Sequence, residues 1–299
     1  MSSSFQTPLR YPGGKARLGA WIAWLMRHND ISGGIYAEPY AGGAGAALYL
    51  LSNQYVRHIF INDLDPVIYA FWWSVVNDSE SLITLINSED VTIENWVKQR
   101  EVLNNLEQHS RTEIGFATFF LNRTNRSGIL KAGVIGGRSQ NGNYKIDARY
   151  NKEDLSRRIR TIARHKKRIN LTNLDAMNFI NDLAPDFGSK SLIYLDPPYF
   201  NKGSQLYRNF YNADDHRGIA ESIFNIDSPW IVTYDNCEPI KDIYKEYDTQ
   251  EFSLIYSTSM ERPKATEIMV YNNLDLPCTP FLSRTTRPYP KDWEKRFAI

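Results

Sequence analysis

The 299-residue chain carries only two cysteines, Cys237 and Cys278. Their placement forms neither a disulfide framework nor a zinc spacing, so a reducing, cytoplasmic setting is expected. Five histidines, His28, His58, His109, His165 and His216, show no ligand spacing, and no metal is expected. Charge interrupts the apolar stretches before they reach the ~18 residues of a membrane span, which excludes a membrane partner. The opening "MSSSFQTPLR" has no basic flank ahead of an apolar core, so no secretory leader is expected there. Neither sign of charge dominates: 35 Lys/Arg against 34 Asp/Glu leave +1. A polyanionic partner is therefore neither demanded nor excluded by the total, and the location of the charge decides.

That location is uneven. Arg149 to Arg168 holds nine Lys/Arg residues against Glu153 and Asp154. Leu155, Ile159, Ile162 and Ile169 recur at helical spacing, and Asn151 or Asp154 can cap the N-terminus. This reads as a helix with one apolar stripe, its basic remainder being either a solvated face or a phosphate-contacting one.

No solenoid-period repeat is present. "GIYAEPYAGGAGAALYLL" reads as a strand, a glycine turn and a helix. "RHIFINDLDP" then reads as a strand ending in acids, ahead of the helical "VIYAFWWSVV", whose aromatics are expected in the core. Strand, glycine turn, helix and acid-ended strand are the pattern of a doubly wound α/β sheet. From about residue 78 to 165 the rhythm lapses into mainly helical segments. There "GILKAGVIGGRSQNGNYKI" reads as a β-hairpin with Gly136-Gly137 and Asn141-Gly142 turns. Alternation resumes with "INLTNLDAMNFI", "SLIYLDPPY", "WIVTYDN", "FSLIYSTS" and "TEIMVYNN". The expected organisation is a catalytic domain over 1–77 and 166–299, interrupted by a module over 78–165. An irregular tail follows Asn273.

In "EPYAGGAGAAL", Gly42, Gly43 and Gly45 permit close backbone approach to a ligand at a helix N-terminus. Leu48 occupies the third glycine position of a dinucleotide fingerprint, so that motif is incomplete. Asp63 ends the next strand, where an acid binds ribose hydroxyls. A P-loop fails, because Leu9 and Ala16 stand where Gly and Ser/Thr are required. S-adenosylmethionine, with a ribose and a zwitterionic amino acid but no phosphate, suits this turn better than NAD.

The run "IYLDPPYF" stops a buried strand at a carboxylate, two prolines and a ring, since proline cannot continue a central strand. Methylation of an exocyclic base amine needs such a set. The amine's lone pair is delocalised into the ring, and acceptors on its N–H groups localise it. Asp196 supplies one acceptor and the Pro197 carbonyl, held rigid by Pro198, another. Tyr199 can stack on the base, which must first leave the duplex.

These motifs, in this order, resemble the Dam-like N6-adenine-specific DNA methyltransferases. "RYPGGK", "EPYAGGAGAAL", "INDLDP", "FFLNRTNRSGI" and "DPPY" carry the resemblance, which extends to about residue 273. It implies a Rossmann-like S-adenosylmethionine-dependent fold with an inserted target-recognition domain. Cofactor contacts are implied at Tyr11, Lys15, Glu38, Pro39, Tyr40, Ala41, Gly42, Gly43, Gly45, Asp63, Asp175 and Asp196. DNA contacts are implied at Asn122, Arg123, Asn125, Arg126, Ser127 and Arg138. Asn122 can instead cap a helix or turn, and Arg126 can meet a guanine edge or a phosphate. Arg126 and Ser127 depart from the aromatic-Asn pair common in the family, so the target sequence does not carry over. Double-stranded DNA is the implied partner, and a cognate restriction endonuclease is a further one the resemblance admits.

Other chemistries fit less well. Cytosine-C5 methylation would need an attacking cysteine, but Pro277-Cys278 lies far past the tetrapeptide without a Glu-Asn partner. Asp196 favours adenine over cytosine-N4 or protein-glutamine acceptors. A catalytically silent DNA-binding regulator on the same fold, and a nicotinamide dehydrogenase, remain as contrasting readings.

Overall fold

Ile35–Glu38 (β1) and His58–Asn62 (β2) pair in parallel, with Ile35 opposite His58 and Glu38 opposite Ile61. They belong to a computed structural model that describes residues 7–11, 15–200, 211–255, 264–277 and 280, and, within these, no side chains for 253–255 and 264–266. Ile169–Thr172 (β3), Ser191–Leu195 (β4), Trp230–Asp235 (β5), Asp248–Ile255 (β6) and Lys264–Asn272 (β7) complete one sheet, in the order β3-β2-β1-β4-β5-β7-β6. β1 to β5 run parallel, while β7 is antiparallel to both β5 and β6. The near-continuous burial of β4 and β5 is what a parallel strand covered on both faces requires. This is the expected mixed α/β, Rossmann-like sheet. Its order reverses between β1 and β4, and ligands of open α/β sheets bind beyond the strand ends at that switch point.

Helices cover the two faces. Gly19–His28 (α1), Gly45–Ser52 (α2) and Pro66–Asn77 (α3) bury Trp21, Ile22, Leu48, Phe71 and Trp72 in one apolar cluster. Ser79–Ser88 (α4), Ile93–Asn104 (α5), Arg111–Thr124 (α6) and Lys152–Ala163 (α7) bury Leu82, Trp96, Phe119, Leu155 and Ile159 in that same cluster. The segment 78–165 therefore shares its core with the sheet's helical layer. Ala176–Leu183 (α8), Ala213–Phe224 (α9) and Glu238–Ile243 (α10) pack on the other face around Phe179, Ile219, Trp230 and Tyr234. In α7 Leu155, Ile159 and Ile162 are buried as the spacing predicted, but the fourth position of that stripe, Ile169, lies beyond the helix and opens β3; Asn151 is the cap, accepting from the Asp154 N–H at 2.9 Å.

The hairpin expected within 128–146 does not form. Only an isolated antiparallel bridge joins Asn125 to Val134. Gly136 and Gly137 take φ of +83° and +75°, which turns the chain instead of extending it. Gln140 then replaces a ladder: its Nε2 donates to the Ile135 and Gly137 carbonyls, and its Oε1 accepts from the Ile146 N–H. Gly13, Gly14, Cys278 and most of the expected tail lie outside the described residues. Among those described, no helix is long and apolar enough to cross a membrane.

Candidate active site

A cavity of about 390 Å³ opens beyond the C-terminal ends of β1, β2 and β4. Its wall combines Asp63 and the turn Tyr40–Gly45 with Lys15, Glu38, Asp196 and Pro198. One space thus joins the glycine turn to the strand-end tetrapeptide.

The glycine turn is shaped by what lies across it. Gly42 holds φ at +45° and Ala44, a non-glycine, +46°. A Cβ on Gly42 would sit 2.6 Å from the Tyr11 ring, and one on Gly45 would sit 2.6 Å from the Ala16 Cβ. The missing side chains let Tyr11 and Ala16 lie against the turn. The indole N–H of buried Trp72 donates to the Gly42 carbonyl at 2.8 Å, and the Thr7 hydroxyl to that of Gly43 at 2.6 Å. The aromatic run after β2 therefore anchors the turn through Trp72 as well as filling the core.

Two acids face this half. Asp63 accepts from the Gly42 N–H at 2.9 Å through Oδ2 and from the Asp65 N–H at 2.9 Å through Oδ1. Burial pushes its carboxyl up to about 7. Glu38 Oε1 accepts from the Tyr36 hydroxyl at 3.1 Å and from the Ala47 N–H at 3.0 Å, capping the first turn of α2. Burial pushes Glu38 up to about 8. Pro39 offers its carbonyl to Asn62, which locks the end of β1 to the end of β2. Asp175 caps α8 by accepting from the Met177 N–H at 2.8 Å and does not line the cavity.

The other half is a buried charge cluster. Lys15 Nζ reaches Asp196 Oδ1 at 3.1 Å and Glu267 Oε2 at 3.3 Å. Burial opposes the ammonium, but Asp196 and Glu267 outweigh it and push the Lys15 pKa well above the usual lysine value. Asp196 Oδ1 also accepts from the Thr233 hydroxyl at 3.0 Å. Burial raises the Asp196 carboxyl, against the pull of Lys15 and that hydrogen bond. The side chain keeps 20 % of its surface exposed, whereas that of Glu267 keeps 1 %. Tyr199 does not line the cavity. Its hydroxyl donates to Glu267 Oε1 at 2.5 Å, and the Lys15 ammonium stands 5.9 Å from its ring centroid. The hydroxyl thus has a structural partner that ring-stacking alone did not anticipate.

The recognition segment divides sharply. Asn122 and Asn125 are buried, and their side chains are committed internally rather than offered to DNA. Asn122 accepts from the Arg10 N–H at 2.7 Å and donates to the carbonyls of Arg10 and Gly128. Asn125 accepts from the Trp96 indole at 2.7 Å and donates to the carbonyls of Ile129 and Leu130. Ser127 takes φ of +56° in the turn that these bonds hold. Arg126 and Arg138 are exposed, Arg138 with its guanidinium 5.8 Å from the Trp96 ring centroid. Arg123 lines the cavity with Arg10 and Arg158. Its Nε is buried without a partner among the described residues, and burial, then Arg158 and Arg10, push its pKa down to about 9.

The family model of the D12 class N6 adenine-specific DNA methyltransferases matches residues 11–261. The chain belongs to that family. It is accordingly a methyltransferase enzyme acting on adenine in DNA. No curated protein matches the chain by sequence. Among solved structures, a protein from Pyrococcus horikoshii provisionally described as an RNA methyltransferase aligns with a TM-score of 0.40 at 10% identity, over 88% of this chain and 84% of its own. A methylase-like protein from Haemophilus influenzae gives 0.35 at 12%, over 86% and 88%. An rRNA methyltransferase from Streptomyces viridochromogenes gives 0.34 at 11%, over 84% and 82%. For the D12 enzyme in hand, sequence reasoning missed Glu267, Thr233, Arg10 and Tyr211, the last of which lines the cavity and accepts from the Tyr40 hydroxyl at 3.3 Å. A lone acid inside the apolar "EIMV" run was the available signal for Glu267.

Proposed function

We propose that the cavity holds S-adenosylmethionine in its glycine-turn half and an extruded adenine beside Asp196. The observation that carries this is the continuity of one cavity from Asp63 to Asp196. The residues present fit that cofactor. A Cβ on Gly42 would collide with the Tyr11 ring that closes the cradle. Asp63 suits a ribose diol, Glu38 an ammonium, and Lys15 is already committed to two carboxylates. When bound, the cofactor supplies a sulfonium-activated methyl group.

The chain's own residues then act on the base. Asp196 Oδ1 is engaged by Lys15 and Thr233, which leaves Oδ2 to accept an N–H of the adenine amine. The Pro197 carbonyl is the second acceptor. Together they would localise the nitrogen lone pair and orient the amine for methylation. The proton that N6 sheds has Asp196 as its nearest base. Tyr199 lies outside the cavity lining, its hydroxyl held by Glu267 and its ring 5.9 Å from the Lys15 ammonium. Arg10, Arg123 and Arg158 give the cavity a cationic wall suited to a phosphodiester.

Residues 78–165 serve as the recognition module, with Arg126 and Arg138 as its exposed readers of double-stranded DNA. A DNA substrate supports a cytoplasmic location, and family membership admits a cognate restriction endonuclease. The test is labelled methyl transfer to duplex DNA, with nucleoside analysis of the product. N6-methyladenine formed by the wild type and lost in Asp196→Asn is expected. Cofactor binding without incorporation into any duplex would overturn the reading.

A further inference from the structure

Glu267 lies on β7, opposite Asp235 of β5, and is followed by the buried apolar run Ile268, Met269 and Val270. A carboxylate in that setting loses hydration, and an apolar side chain would serve the sheet better. Its two oxygens are divided between two partners. Oε1 accepts the Tyr199 hydroxyl at 2.5 Å, and Oε2 the Lys15 ammonium at 3.3 Å. Lys15 in turn reaches Asp196 at 3.1 Å. Both Lys15 and Glu267 are buried, so water screens these contacts little.

Building on the proposed methyl transfer, we propose that Glu267 is a positioning residue for that reaction, acting through Lys15 and Tyr199. Without it, Lys15 and Asp196 would be a neutral pair, and the ammonium would draw density away from the acceptor oxygen. With it, two carboxylates share one ammonium, and the cluster carries one net negative charge. That charge stands beside the amine nitrogen, which becomes positive as the methyl group arrives, and a fixed charge of opposite sign lowers the barrier. The same carboxylate holds the far end of Tyr199, whose ring stands 5.9 Å from the Lys15 ammonium, so Tyr199, Lys15 and Asp196 are tied into one cluster.

The test compares purified full-length Glu267→Gln, Glu267→Asp and Tyr199→Phe with the wild type. Glutamine keeps the shape and an acceptor for the tyrosine hydroxyl while removing the charge. Its kcat on duplex DNA should fall about thirtyfold, with dissociation constants for S-adenosylmethionine and DNA shifting less than about threefold. Aspartate should recover part of that loss. Tyr199→Phe should lower kcat alone and add little in the Glu267→Gln background. Glu267→Gln turnover within about twofold of wild type, a loss lying wholly in affinity, or no recovery with aspartate would overturn the proposal. If the glutamine variant does not fold, an unchanged kcat in Tyr199→Phe overturns it alone. Wild-type turnover measured in parallel tests the underlying methyl-transfer reading, and each variant is read as a ratio to it.

Discussion

The Tyr11 ring lies over Gly42 so closely that a carbon added to the glycine would stand 2.6 Å from it. The same glycine holds φ at +45° and gives its N–H to Asp63. One residue therefore sets the cradle wall, the turn and the orientation of the acid at the end of β2. In Gly42→Ala the left-handed conformation costs roughly 1 kcal/mol, and the ring must move as well. Calorimetry should show S-adenosylmethionine affinity falling by about tenfold or more, since ~1.4 kcal/mol is a factor of ten. Gly43→Ala, whose new carbon comes no closer than 3.1 Å to the Tyr11 Cβ, should be milder. Equal affinities for both variants and wild type would remove this contact from the account.

Asp63 makes the cavity sensitive to pH. Its folded pKa, about 7, lies above the ordinary 3.8. The fold thus favours the protonated acid, and the stability this contributes is full below the unfolded value and lost as pH rises through about 7. Asp63→Asn should raise the melting temperature at pH 8 by about 2–4 °C, the effect of ~1 kcal/mol in a chain of this size. The gain should shrink towards pH 4. Cofactor affinity should do the reverse: in wild type it rises between pH 6 and 8 as the carboxylate ionises to accept ribose hydroxyls, and in Asp63→Asn it is low and flat. A wild-type affinity independent of pH over that window would detach Asp63 from the ligand.

The strand–turn–helix around Gly42, the acid after β2 and the tetrapeptide after β4 were legible because each is written in adjacent residues. Glu267 was not. Its hydrogen-bond partner Lys15 is 252 positions away, and only the antiparallel insertion of β7 beside β5 brings them together. The asparagines of "FLNRTN", of which Asn122 was also legible as a cap, are the opposite case. Their local pattern is distinctive, but what it encodes is a set of carbonyl ties to Arg10, Gly128, Ile129 and Leu130. The absent hairpin belongs to the same class. Glycine turns between β-prone runs were visible, while the Gln140 side chain that closes the loop on itself was not.

Asn122 and Arg123 are neighbours with separable roles. Asn122 ties the N-terminal segment to α6 through the N–H and the carbonyl of Arg10. Asn122→Ala leaves buried backbone groups unpaired, so it should destabilise by about 1–3 kcal/mol, read by urea unfolding. Arg123 lines the cavity without a carboxylate partner among the described residues. Arg123→Gln should leave folding nearly unchanged and weaken DNA binding. If Asn122→Ala binds DNA poorly at full stability, the asparagine reads DNA after all.

The basic helix resolves into two populations, and the salt dependence of DNA binding separates them. Arg157 and Arg158 both clamp Asp154, and Arg158 also donates to the Thr7 carbonyl at 3.1 Å from within the cavity wall. Lys152 donates to the carbonyls of Asn87 and Glu89 at the end of α4, and Arg168 to those of Val56 and Arg57. These charges hold the fold. Arg164, Lys166 and Lys167 are exposed and have no acidic partner among the described residues. Each phosphate that the protein ceases to neutralise lowers the slope of log affinity against log salt by ~0.9. The triple change Arg164→Gln, Lys166→Gln and Lys167→Gln should therefore flatten the slope by about 2–3 without altering kcat at saturating DNA. Arg158→Gln should instead reduce turnover through the cavity while moving the slope by a single phosphate's share at most. An unchanged slope in the triple variant would return the segment that follows α7 to an ordinary solvated surface.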